Sequence, residues 1–178
     1  MLYARRTITG ITMAIADDIQ CLKLQEQKLQ FKSFSEDDAW SLGSAMRSLA
    51  ISKSLPLVMD IRIGIRPLFY FAMPGTTPEN PDWVRRKVNT VYRFEACSYR
   101  IGLEYKAKGS PFDQSRGIDP LQYAPAGGGF PIRLGGVVVG AVTVSGIPQR
   151  EDHNFVAENI ANFLGIAYKD IQLLAESA

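Results

Sequence analysis

Histidine is almost missing from this chain: among 178 residues there is one, His153. Thiols are nearly as scarce, with Cys21 and Cys97 far outside any CxxC or zinc-ligand spacing. So few nitrogen and sulfur donors exclude a zinc site of the usual kind, and the two cysteines read as reduced thiols rather than a disulfide framework. No apolar run approaches the roughly 18 residues that cross a bilayer, so no membrane span is expected. Net charge is small as well, 20 Lys and Arg against 18 Asp and Glu. The densest basic cluster is Arg85-Arg86-Lys87 with Arg93 beyond it, which suits a solvated helix face, and no nucleic-acid partner is expected. Near the start, Arg5-Arg6 precedes a weakly apolar run, but Thr7, Thr9, Gly10 and Thr12 interrupt it and no convincing cleavage site follows. The expectation is a cytoplasmic protein.

What is present is globular composition, 46 % hydrophobic and 21 % charged, in a length that suits one domain with its own core. Ile15, Ile19, Leu22 and Leu29 fall near helical spacing and predict a helix over 13–30. Ser35 looks like an N-cap before the acidic turn Glu36-Asp37-Asp38, and Trp40, Leu42, Ala45, Met46, Leu49 and Ala50 give the next helix an apolar face. Residues 57–63 and 67–72 predict a hairpin, Asp82 a cap for a helix through Phe94, and Tyr99 to Lys106 a further helical stretch. Phe130–Leu134, Gly135-Gly136 and Val137–Ser145 predict a second hairpin, and Glu151 or Asp152 opens the last helix. A short strand at Phe31–Phe34 would be the fifth. The sum is an α+β domain, an antiparallel sheet of about five strands flanked by helices, rather than a βαβ repeat.

Four places carry candidate chemistry. Trp83, Arg86 and Lys87 lie within one helical turn, where an aromatic plate with two cations could bind an anionic ring compound, a tetrapyrrole propionate included. Tryptophan in the core with the cations reaching solvent fits equally well. Gly127-Gly128-Gly129 could let a backbone approach a ligand, although a strand follows and there is no GK[ST], so it is not a P-loop. Ser145 and Gly146 lead into a helix start where His153 could act as a general acid or base beside a bound carboxylate or phosphate; Asp152 as a simple cap explains the same residues. Ser145 is no nucleophile elbow, because Thr143 and Ile147 stand where GxSxG needs glycine.

Taken in order, Trp40-Ser41-Leu42-Gly43, the run PGTTPENPDWVRRK from Pro74 to Lys87, Ser98-Tyr99, Gly127-Gly128-Gly129-Phe130-Pro131-Ile132, Val144-Ser145-Gly146 and Asp152-His153 resemble the haem-degrading-domain family (HbpS-like, GlcG-like). Within it they match the branch with no settled activity. They cover about residues 35–165. The resemblance implies a profilin-like sheet flanked by helices, a tendency to form homo-oligomers, and haem or corrinoid ligands elsewhere in the family. It adds Ser98 and Phe130 to the candidate ligand-binding residues. Relatives commonly carry histidine where this chain has Ala126, which can neither ligate iron nor donate a proton. That departure weakens the haem expectation, and the cofactor stays open.

Two functional classes follow. One is an oligomeric small-ligand-binding protein whose pocket joins the Trp83 helix, the glycine run and the Ser145–His153 loop. The other is an oligomeric interaction protein without ligand chemistry, to which Ile166, Tyr168, Ile171 and Leu174 of the last helix and tail would contribute. A haem-degrading enzyme is a third reading, with iron held by His153, Tyr99, Tyr123 or Cys97.

Overall fold

Ser35 opens its helix as its context implies. Its hydroxyl accepts from the Asp38 N–H at 3.2 Å while the Asp38 carboxylate accepts from the Ser35 N–H at 2.8 Å, a reciprocal capping box. A computed structural model describes residues 2–112 and 117–174, with side chains described from residue 14 onward. Along it run α1 (Leu2–Lys28), α2 (Glu36–Ser52), β1 (Val58–Ile63), β2 (Arg66–Ala72), α3 (Glu79–Phe94), α4 (Ser98–Lys108), β3 (Gly129–Leu134), β4 (Val137–Ser145) and α5 (Gln149–Leu164). A 3-10 turn at Tyr168–Asp170 follows.

The four strands form one antiparallel sheet in the order β2-β1-β4-β3. Gly135 and Gly136, both at positive φ, make the tight turn of the β3–β4 hairpin. Side chains alternate across the pleat, so the sheet has two cores. On one face Met59, Ile61, Phe130, Ile132, Val142 and Val144 join α2 and α5 in the main core. On the other, Val58 and Ala141 lie under Val84, Val88 and Val91 of α3. Helix α3 rests on β4, β3 and β1, so β2 is largely uncovered on that side. Helix α1 docks on α4: the Glu26 carboxylate accepts from the Cys97 N–H at 2.8 Å and from the Arg100 guanidinium at 2.9 Å.

The structure differs from the sequence reading at four points. The fifth strand is reduced to a single parallel bridge of Phe31 with Leu134, because Ser35 turns the chain into α2 before a strand can develop. Helix α1 begins well before residue 13. Helix α3 starts at Glu79 behind Pro78, so Asp82 is a first-turn acid paired with Arg85 and Arg86 rather than the cap. The tail folds back rather than offering an apolar surface: Ile171 and Leu173 are buried, and the Ile171 carbonyl accepts from the Gln25 amide at 2.8 Å. Leu174 is exposed.

Candidate functional site

Helix α3 presents two stripes. Val84, Lys87, Val88 and Val91 recur at core spacing and face the sheet, while Trp83, Arg86 and Thr90 turn toward the segment that leads into the glycine run. That segment is latched along the helix. The Ala124 N–H donates to Thr90 Oγ1 at 2.9 Å, Asn89 Nδ2 to the Gln122 carbonyl at 2.8 Å, and Arg85 to the Gln122 side chain and the Leu121 carbonyl at 2.8 and 2.7 Å. Between helix and segment lies an open concavity of about 260 Å³, lined by Trp83, Arg86, Phe112, Pro120, Tyr123 and the Ala124-Pro125 step. The Arg86 guanidinium stacks on the Trp83 ring, 4.0 Å from its centroid. Its Nε sits 2.8 Å from Asp82 Oδ2, an ion pair that offsets part of the guanidinium charge. Arg93 lies 5.1 Å over the Tyr123 ring. The wall thus combines aromatic faces, proline rings and one guanidinium, groups that by their chemistry can contact a flat, negatively charged molecule.

Lys87 does not belong to this wall. It is 3 % exposed, and its Nζ donates to Asp152 at 2.8 Å and to the Val144 carbonyl at 3.0 Å. Burial lowers the Lys87 pKa and raises that of Asp152, each against the opposing attraction of its partner. The other Asp152 oxygen accepts from the Ile147 N–H at 3.2 Å. The loop amides of Gly146 and Ile147, ahead of α5, are thus bound by the chain's own carboxylate, while the first turn of α5 has no side-chain cap.

The glycine run is packed just as tightly. A Cβ on Gly127 would stand 1.7 Å from the Gln149 carbonyl oxygen, and one on Gly128 would meet the Val144 carbonyl at 2.4 Å. Ser98, at the first turn of α4, is fully buried: its hydroxyl donates to the Ala126 carbonyl and accepts from the Gly129 N–H at 3.0 Å. Phe130 and Ser145 are buried as well. These residues join β3, β4, α4 and α5, and close approach of backbones is what the glycines serve here.

His153 is fully buried between Tyr99 and Phe130, with ring centroids 5.4 and 6.1 Å away. Its Nε2 lies 2.7 Å from Gln25 Oε1. Because the Gln25 amide nitrogen donates to the Ile171 carbonyl, Oε1 is the acceptor and His153 carries its proton on Nε2. Nδ1 is buried and has no hydrogen-bond partner among the described residues. Desolvation, aided by the Arg150 charge, lowers the pKa to about 3, so the ring is neutral at ordinary pH. His153 does not line the Trp83 concavity. Among the candidates, the structure therefore brings Trp83 and Arg86 together and sends Lys87, Ser98, Gly127, Gly128, Phe130, Ser145, Gly146 and His153 to a packed junction. The lining it adds is Phe112, Pro120, Ala124 and Pro125, together with Tyr123, which the sequence offered only as an iron donor; the one signal was aromatic residues and prolines within a segment that otherwise reads as loop.

An α+β protein with a four-stranded antiparallel sheet between helices is thus defined, and comparison with known proteins places it. A family model described as haem degrading protein HbpS-like matches residues 34–161. The UPF0303 protein mlr5144 of Mesorhizobium japonicum is 45 % identical over 166 residues, which cover 93 % of this chain and 99 % of that protein. Among solved structures, the Ybr137w protein matches with a TM-score of 0.75 at 25 % identity, over 83 % of this chain and 87 % of that one. A PduOC–haem complex matches in fold with a TM-score of 0.63 at 16 % identity, over 76 % and 97 % of the two chains. The chain belongs to the HbpS-like family. No described helix is long and apolar enough to cross a membrane.

Proposed function

We propose that this protein is a homo-oligomeric binder of a flat, anionic small molecule, a tetrapyrrole or another aromatic organic anion, held in the concavity beside Trp83. The observation that carries this reading is the Arg86 guanidinium stacked on Trp83 in a wall completed by Phe112 and Tyr123. About 260 Å³ is just below the roughly 300 Å³ at which small-molecule pockets usually begin. A ring laid against the wall, partly outside it, suits that size better than an enclosed ligand. The PduOC neighbour is a haem complex, which makes tetrapyrroles the first class to try.

Haem as an iron cofactor held by His153 does not fit these residues. The ring is buried, hydrogen-bonded to Gln25 and remote from the concavity. Cys97 and Tyr99 are buried too, and of the four iron donors the sequence offers, Tyr123 lines the concavity. A haem-degrading reaction accordingly draws no support from His153. Binding through ring face and carboxylates draws on Trp83 and Arg86 instead.

Titration of the purified protein with haemin, a corrinoid and simple aromatic carboxylates, followed by absorbance and by melting temperature, tests this. Saturable binding is expected with at least one of them, weakened at least tenfold by Trp83→Ala or Arg86→Gln. His153→Gln is expected to leave affinity and, for haemin, the Soret band unchanged. No spectral change and no stabilisation at ligand excess would overturn the proposal.

A further inference from the structure

Strand β2 is an edge, and its open side is unusually apolar. The Met73 N–H donates to the Leu57 carbonyl at 3.0 Å, beside the β1–β2 ladder. By the alternation of an antiparallel pair, Phe71 and Phe69 then direct their backbone groups to β1, while Tyr70 and Ala72 direct theirs outward. Arg66 and Pro67, residues of the kind that guard edges, stand at the start of the strand and leave Leu68–Ala72 without a charge. Tyr70 is 49 % exposed.

Alongside this edge runs one stripe of α2. Glu36, Trp40, Ser44, Arg47 and Ile51 recur at spacings of four and three and so share a face. Three of them lie over β2 or its start: Glu36 pairs with Arg66 at 2.7 Å, Trp40 packs edge-on to Phe69, and Arg47 lies 4.6 Å over the Phe71 ring. Trp40 is 66 % exposed, which is unusual for a tryptophan, and Ile51 is 49 % exposed. The stripe is acidic at one end and basic toward the other. Reversed against a copy of itself, it sets Trp40 opposite the copy's Arg47 and Glu36 toward its basic half, with Ser44 on the axis.

We infer that the β2 edge and the Glu36–Ile51 stripe of α2 form the seam with a second copy of this chain, joining the two sheets antiparallel about Tyr70 and the two α2 helices about Ser44. Both axes coincide, because Tyr70 lies between Phe69, which meets Trp40, and Phe71, which meets Arg47. The spacing agrees as well. Strands pair about 4.8 Å apart and α2 rests on both β1 and β2, so the two helices fall about 10 Å apart, within reach of direct packing. This inference rests on the homo-oligomeric part of the proposed function and not on the ligand, whose concavity lies beside α3 on the other face of the sheet.

Ser44→Cys under mild oxidation is the deciding experiment, with Glu151→Cys on α5 as the control and solution mass measured alongside. A covalent dimer is expected from Ser44→Cys and not from the control. Arg47→Glu is expected to halve the mass while circular dichroism stays native, and Glu36→Lys combined with Arg47→Glu to restore it. A monomeric wild-type chain would overturn both the seam and the homo-oligomeric reading. An oligomer in which Ser44→Cys does not cross-link would overturn the seam alone.

Discussion

At the scale of single residues, two of the buried titratable sites show what burial of a charge costs. His153 has a folded-state pKa of about 3 against an ordinary 6.5. Between those values the unfolded chain takes up a proton that the folded chain refuses, so stability falls as pH drops through this window and is fully present above it. The slope attributable to this one ring is at most about 1.4 kcal/mol per pH unit. His153→Gln keeps a donor for Gln25 without a titrating group. Its melting temperature, followed from pH 7 to 4, is expected to fall less steeply than that of the wild type. Lys87 and Asp152, 3 % and 2 % exposed, illustrate the cost of leaving one buried charge alone. Lys87→Met is expected to destabilise by about 3–5 kcal/mol in urea unfolding, and adding Asp152→Asn to recover much of that loss.

Lys87 also shows what was legible and what was not. Val84, Lys87, Val88 and Val91 form a core stripe in the bare sequence, and reading Lys87 by that stripe places it on the sheet. Reading it by its distance of four from Trp83 places it in a pocket. Two helical spacings compete, and the burial of three valines decides between them.

At the scale of elements, periodicity and capping account for most of what the sequence reveals. Both hairpins, the Gly135-Gly136 turn, the Ser35 cap and the helix through Trp83 follow from local rules. Ser35→Ala is expected to cost about 1 kcal/mol, seen as a lower urea midpoint with an unchanged slope. Local rules fail where the partner is distant. The Phe31 segment has strand-like residues but makes a single bridge, because the helix cap that follows leaves it no length. Helix α5 has no side-chain cap: Asp152, in its first turn, reaches back to the Ile147 N–H ahead of the helix, while Lys87 from α3 holds its other oxygen.

At the scale of the whole molecule, the sheet separates the two proposed sites, whose residues the sequence places on one list of motifs. The Trp83 concavity belongs to the α3 side, and the Trp40 stripe belongs to α2 on the opposite side. Ligand binding and assembly are therefore expected to respond to separate substitutions. A ligand at about one hundred times its dissociation constant is expected to stabilise the native chain by about 2.7 kcal/mol, and Arg47→Glu is expected to leave that gain intact in thermal melts. The HbpS-like motifs between them, Ser98-Tyr99, the glycine run and Asp152-His153, hold the β3, β4, α4 and α5 junction together.

By itself the sequence determined the helices, the hairpins and the α+β class, because capping, turn chemistry and hydrophobic period act between near neighbours along the chain, and its ordered motifs carried the family resemblance. Only the tertiary structure decided which candidates share a site. Whether Lys87, Ser145 and His153 meet solvent or one another depends on carbonyls, carboxylates and a glutamine brought from the far ends of the chain, and burial then fixes their charge. No local pattern encodes that meeting, which is why the single histidine reads as chemistry in the sequence and as core in the fold.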